Sequence, residues 1–369
     1  MKKKIALLLV SAMTVSGLVA CGNSAAEEAP AAATEEAAPA EEEAAPAEEE
    51  ASAEEEASAE EAAPAADGEL IKVGFAQVGH ESDWRAANTK NYQDTFSEAN
   101  GYELSFVDCD NDHAVQIETV RGFIEQELDY ICIAPIQSAG WDTVLQEAQD
   151  AGIDVLIVDR AVDADESLYT TALGCDMVAE GEAAGNWLAE YLNGEDAKIL
   201  VIEGSVGASA TLGRTEDFNN IVAQNSNWEV LDSQSGDFTQ AGGQEVMESF
   251  IKSYSDFNVV VCQNDNEAYG AMDAMDAAGI TYGVDGDVII ISFDATHDGL
   301  QYTLDGKITC NVECNPLQAG FAEEVIKKLV AGETVDKWTL VEDEAFVAPG
   351  IESAYAVTMS QEVLDGRAY

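Results

Sequence analysis

From residue 69 onward, short apolar runs that do not alternate strictly are separated by amphipathic segments. Ile71-Lys72-Val73-Gly74-Phe75-Ala76 predicts a strand, and the pattern over 84–99 predicts a helix that Asn100-Gly101 ends. Strands follow at 104–107, 130–134 and 155–158, with helices over 114–127 and 140–151 between them. The alternation then starts again. Helices over 177–193, 214–224, 240–253, 267–278 and 317–331 alternate with strands at 198–202, 228–232, 258–262, 288–292 and 307–312, and a short helix falls near 298–304. The tail from Trp338 is less regular, with extended pieces at 338–341 and 353–358 and a turn or short helix over Ser360–Asp365. Unalternating strands between helices belong to a parallel sheet covered on both faces. Two successive sets in about 300 residues predict an α/β protein of two similar lobes.

In such sheets a ligand binds beyond the carboxyl ends of the strands. Asp159-Arg160 ends one apolar strand; a carboxylate beside a guanidinium can grip vicinal hydroxyls, the first accepting and the second donating through a rigid fork. Trp84-Arg85 lies in the first strand-to-helix connection, where an aromatic face can stack on a sugar while Arg85 donates. The chain has only five arginines; Arg85, Arg160 and Arg214 all fall at expected cleft positions, while Arg121 sits on a helix and Arg367 in the tail. Asn264 and Asp294 each follow a strand of the second set. Plainer roles stand beside these: a surface ion pair for Asp159-Arg160, helix-start packing for Trp84, and helix caps for Asn264 and Asp294.

Charge narrows the partners. The 369 residues carry a formal charge of −56, and residues 69–369 alone hold 56 acids against 13 bases. Such a surface lacks the clustered positive charge that binds nucleic acid, and it does not adsorb to anionic membranes. Other chemistries lack their patterns. Gly74 and Gly79 fail the dinucleotide spacing, no GxSxG occurs, and no Walker lysine is present. Asp108-Cys109-Asp110-Asn111-Asp112 begins like a calcium loop but continues with His113 and Thr119 where Gly and Glu belong. With no CxxC and with His80, His113 and His297 scattered, neither a metal, a cofactor nor a disulfide scaffold is expected.

The N-terminus predicts export and anchoring. Lys2-Lys3-Lys4 precedes an apolar run from Ile5 to Ala20, which ends in Leu18-Val19-Ala20-Cys21. This resembles the lipobox of bacterial lipoproteins, with 1–20 as signal peptide and Cys21 as the lipidated residue. Residues 21–68 are almost wholly Ala, Glu, Pro and Ser, a composition that predicts a disordered, self-repelling tether. Its neutral-coil span is on the order of 40 Å.

At the cleft residues the chain resembles the sugar-binding proteins of bacterial ABC importers, in the ribose/galactose-type periplasmic-binding family. The likeness covers roughly 70–345 and rests on GFAQVGHESDWR (74–85), IAPIQSAGWDTVLQEA (133–148), the Asp-Arg pair, EGSVGASATLGR (203–214), QSGDFTQAGGQEVMESFIK (234–252) and VECNPLQAG (312–320). The Trp-Arg pair and the QSGDFT block point to the furanose-binding branch. Where the ribose branch has paired aromatics, this chain has Asp83-Trp84-Arg85.

The resemblance implies a periplasmic-binding-protein type I fold: two Rossmann-like lobes, 69–175 plus 314–337 and 176–313 plus 338–369, joined by three crossings near Cys175-Asp176, Glu313 and Trp338. It implies a monosaccharide between the lobes. Trp84, Arg85, Asp159 and Arg160 would contact it from the first lobe, and Ser209, Arg214, Phe238, Asn264, Asp294 and Glu313 from the second. The implied protein is a monomer that delivers sugar to a permease at a Gram-positive surface or in a periplasm. A sugar-sensing lipoprotein that reports to a receptor kinase would use the same clamshell. A sugar-converting enzyme finds no catalytic pattern, and a repressor of related lobe architecture is excluded because the leader reads as an export signal and no DNA-binding helix-turn-helix precedes the lobes.

Overall fold

A computed structural model describes residues 69–369. The expected signal peptide, the lipidation site at Cys21 and the tether lie outside the described residues. Among the described residues, no helix is long and apolar enough to cross a membrane.

The first half alternates as its pattern predicts: β1 (Ile71–Gln77), α1 (Asp83–Thr95), β2 (Tyr102–Asp108), α2 (His113–Glu125), β3 (Tyr130–Ile133), α3 (Asp142–Ala151), β4 (Asp154–Val158) and β5 (Thr171–Gly174). The second runs α4 (Met177–Leu192), β6 (Ala197–Glu203), α5 (Ser209–Gln224), β7 (Trp228–Ser235), α6 (Gln240–Ser253), β8 (Val259–Cys262), α7 (Asp265–Ala278), β9 (Ile289–Asp294), α8 (His297–Leu304) and β10 (Cys310–Glu313). The last elements are α9 (Ala319–Val330), β11 (Trp338–Leu340), β12 (Ala345–Val347), β13 (Val357–Thr358) and α10 (Gln361–Asp365).

Two sheets result. One has the strand order β11-β5-β4-β3-β1-β2, the other β13-β12-β10-β9-β8-β6-β7. All pairings are parallel except β10 with β12. Both faces of each are covered. Phe75, Ile131, Trp141 and Leu156 centre the first core, which α9 completes through Ala319, Ala322 and Ile326. Ile199, Val261, Phe293 and Trp187 fill one side of the second sheet, and Leu200, Val260, Phe250 and Met275 the other. Short polar side chains start the helices: Ser82 caps α1, Asp112 caps α2, Asp176 caps α4 and Asn264 caps α7.

Three details differ from the sequence reading. The helix expected over 84–99 ends at Thr95, and a separate 3-10 turn occupies Glu98–Asn100. The helix expected from Arg214 begins at Ser209, a full turn earlier. Trp338 does not start the second-lobe tail: β11 pairs in parallel with β5, Trp338 opposite Ala172, so the last passage between sheets falls at 341–344. A three-residue edge strand has no local signal stronger than its tail neighbours. The six described cysteines are buried free thiols.

Candidate functional site

The carboxyl ends of β1 and β4 face those of β6, β7, β8 and β9 across the gap between the sheets. There Ser82, Trp84, Arg85, Asp159, Arg160, Met177, Ala210, Arg214, Phe238, Asn264, Asp294 and Cys314 line one cavity. It contains eight of the ten expected ligand residues. The free space left among them is about 20 Å³, room for about one water molecule. A sugar-sized guest enters only if the halves part, because guanidinium and carboxylate groups occupy the middle.

The charged groups form two linked sets. In the first, Arg85 donates through Nε to Glu81 Oε1 (2.9 Å) and through Nη1 to Gln77 (3.1 Å), while its Nη2 lies 2.8 Å from Asp159 Oδ2. Arg160 approaches the same Glu81 oxygen at 3.5 Å and lies over the Phe238 ring at 5.0 Å, so this cation–π contact spans the cleft. In the second, Arg214 pairs with Glu180 Oε2 (2.6 Å) and Asp294 Oδ1 (3.2 Å) and donates to the Gln263 carbonyl. Burial alone would push the Glu81 carboxyl up, but Arg85 and Arg160 outweigh it and hold it low. Burial pushes Asp294 up to about 6 against the pull of Arg214.

Several polar atoms are buried without a hydrogen-bond partner: Glu81 Oε2, Asp159 Oδ2 and Arg160 Nη1. Asp159 Oδ2 is close enough to Arg85 for an ion pair but is not aligned for a hydrogen bond. Leaving such groups unmet costs roughly 1–3 kcal/mol each, and hydroxyls, which both donate and accept, would satisfy the two that line the cavity, on Asp159 and Arg160.

The apolar parts are braced. Trp84 donates its indole N–H to the Cys314 carbonyl. Phe238 takes φ 60°, its N–H donates to Glu267 Oε1 (2.9 Å), and its carbonyl accepts from Asn264 Nδ2 (2.9 Å). Asn264 therefore caps α7 and orients Phe238 while it lines the cavity. Hydrogen bonds close the rim: Asp83 N donates to Asn266 Oδ1 (3.0 Å), Asn266 Nδ2 donates to Asp83 Oδ2 (3.1 Å), and Ser138 N donates to the Gly207 carbonyl (3.0 Å).

Two expected ligands lie elsewhere. Ser209 Oγ accepts from Ala161 N at 2.7 Å and serves as a tie between the halves. Glu313 turns away from the cleft, where its Oε1 takes Arg367 and the Tyr369 hydroxyl and its Oε2 accepts from Glu344 N at 3.0 Å. It lines a different and larger cavity, about 1080 Å³, behind the crossings. That cavity has none of the three buried cleft arginines, so size does not mark the site. The sequence reading missed Glu81 and Glu180, which hold the arginines, although Glu81 lies four residues before Arg85.

Two lobes closing polar side chains around a small cleft define a binding protein for a small polar solute. A family model described as a periplasmic binding protein domain matches residues 73–334. The chain belongs to that family: it is an extracytoplasmic solute-binding protein of the sugar-transport type that serves ABC importers, and its role is capture rather than catalysis. It is 37% identical over 282 residues to the galactofuranose-binding protein of Escherichia coli strain K12, covering 75% of this chain and 88% of that one. A Mycobacterium smegmatis structure in complex with β-D-fucofuranose is 42% identical with a TM-score of 0.72, over 75% of this chain and 91% of the other. The binding protein of the Shewanella sp. ANA-3 arabinose ABC transporter, bound to L-arabinofuranose, is 36% identical with a TM-score of 0.71, again over 75% and 91%.

Proposed function

We propose that the cleft captures one monosaccharide as its furanose ring and releases it to the permease of an ABC importer. The observation that carries this reading is the pair of buried polar atoms without a hydrogen-bond partner, Asp159 Oδ2 and Arg160 Nη1, in the cavity that the Phe238 and Trp84 rings also line. Arg85, Asp159 and Arg160 grip from one lobe; Arg214, Asn264 and Asp294 grip from the other. The furanose preference is supported by the three relatives named above. The lobes close as rigid bodies about crossings at 175–176, 313–314 and 341–344. Cys21 carries the lipid that keeps a monomer on the cell surface, and the acidic tether gives it reach.

Calorimetry against galactose, fucose, L-arabinose, ribose and glucose tests the class, and NMR of the bound ¹³C-labelled sugar gives its ring form. The reading expects one saturable site and a furanose spectrum. No heat at millimolar sugar contradicts capture, and a pyranose spectrum contradicts the ring preference alone.

A further inference from the structure

The three crossings hold more chemistry than a hinge requires. Cys175 follows β5, Cys314 follows β10, and Asp343 lies between β11 and β12; Glu180 is in the first turn of α4. The two Sγ atoms and a Glu180 carboxylate oxygen all lie within 4.8 Å of one another, and all three residues are buried. Asp343 Oδ1 accepts from the backbone N–H of Asn315, the residue after Cys314, at 3.0 Å. Glu180 gives Oε2 to Arg214, but its Oε1 is buried with no hydrogen-bond partner.

An approach exists. Glu180 and Asp343 line the cavity of about 1080 Å³ behind the crossings, whose wall also carries Asp176, Glu342 and Glu344. Its lining includes one base, Arg367, and Glu313 already engages that group.

We propose that Cys175, Glu180 and Cys314 bind a thiophilic divalent cation of the zinc class at the hinge. Two sulfurs and a carboxylate suit zinc or cadmium, whereas calcium and magnesium take oxygen alone. Ligands about 2.2 Å from a tetrahedral ion stand about 3.6 Å apart, so the trio closes by at most about 1 Å. Binding displaces the two thiol protons to solvent as two metal–sulfur bonds form, with no change of oxidation state. Cavity carboxylates raise the local cation concentration. No local cysteine spacing signals the site because its ligands come from separate crossings. The ion would tie these segments together, and through Glu180 it would touch Arg214 in the sugar cleft.

The test titrates the reduced full-length chain with cadmium chloride under nitrogen. The expected result is one cadmium per chain with a thiolate-to-metal absorption band. On the unmodified protein, ¹¹³Cd NMR should give a shift between the all-oxygen and four-thiolate ranges. Cys175→Ser and Cys314→Ser should each weaken binding more than about 100-fold, beyond the 10–100-fold typical of outer-shell changes. An all-oxygen shift, no uptake, or a stable Cys175–Cys314 disulfide in protein isolated without oxidant would overturn the proposal.

Discussion

Arg160 is 5% exposed, pairs with Glu81 and Asp159, stacks on Phe238, and still has a free Nη1. A planar fork can do all of this at once; an ammonium cannot. Arg160→Lys should therefore keep the charge but lose hydrogen bonds to the ligand and the stack. Losing a hydrogen bond to a charged group costs about 1.5–3 kcal/mol. That corresponds to a rise in Kd of about ten- to hundred-fold, readable by calorimetry. Unchanged affinity would mean Arg160 only fills space. The arginines were legible in the sequence because five stand among 72 acids, and three of them follow predicted strand ends. Glu81 and Glu180 were not, since nothing local separates two buried acids from dozens of solvated ones. Only the fold shows that each pairs with a buried guanidinium.

Strand ends carry the site's strain. Asp159 (φ 66°), Phe238 (φ 60°) and Asp294 (φ 94°) all take left-handed backbone that side chains rarely adopt. Such residues cost on the order of 1–3 kcal/mol each and persist where the surroundings hold them. Phe238 is held against Gly204, where a Cβ would lie 1.9 Å from the ring. Gly204→Ala should displace the aromatic, lower stability by about 1–3 kcal/mol through overpacking, and weaken sugar binding. Thermal melts and calorimetry read both effects, and normal affinity would detach Phe238 from the site. Periodicity showed the long helices and buried strands well, since their burial is what the pattern encodes. It could not show that β11 crosses to the first sheet, because a three-residue pairing with β5 is a long-range event. It also placed Ser209 before a helix, although the serine opens α5 and spends its hydroxyl on Ala161.

At the scale of the whole molecule, two rigid cores meet through a few polar contacts: Asp83 with Asn266, Ser138 with Gly207, Ala161 with Ser209, and Arg160 over Phe238. Among the described residues, no apolar core cluster of comparable size joins them, only the small group around Trp84, Met177, Phe238 and Cys314. A ligand gripped from both sides favours the closed form in proportion to its differential affinity for it. Closure by shared gripping requires that a residue from either lobe be indispensable. The direct measurement is calorimetry with the cognate sugar on Asp159→Ala and Arg214→Ala, each checked for a cooperative melt. Both should lose about 2–4 kcal/mol, because each leaves buried partners unpaired. Wild-type affinity in either variant would contradict a sugar held jointly by the two lobes.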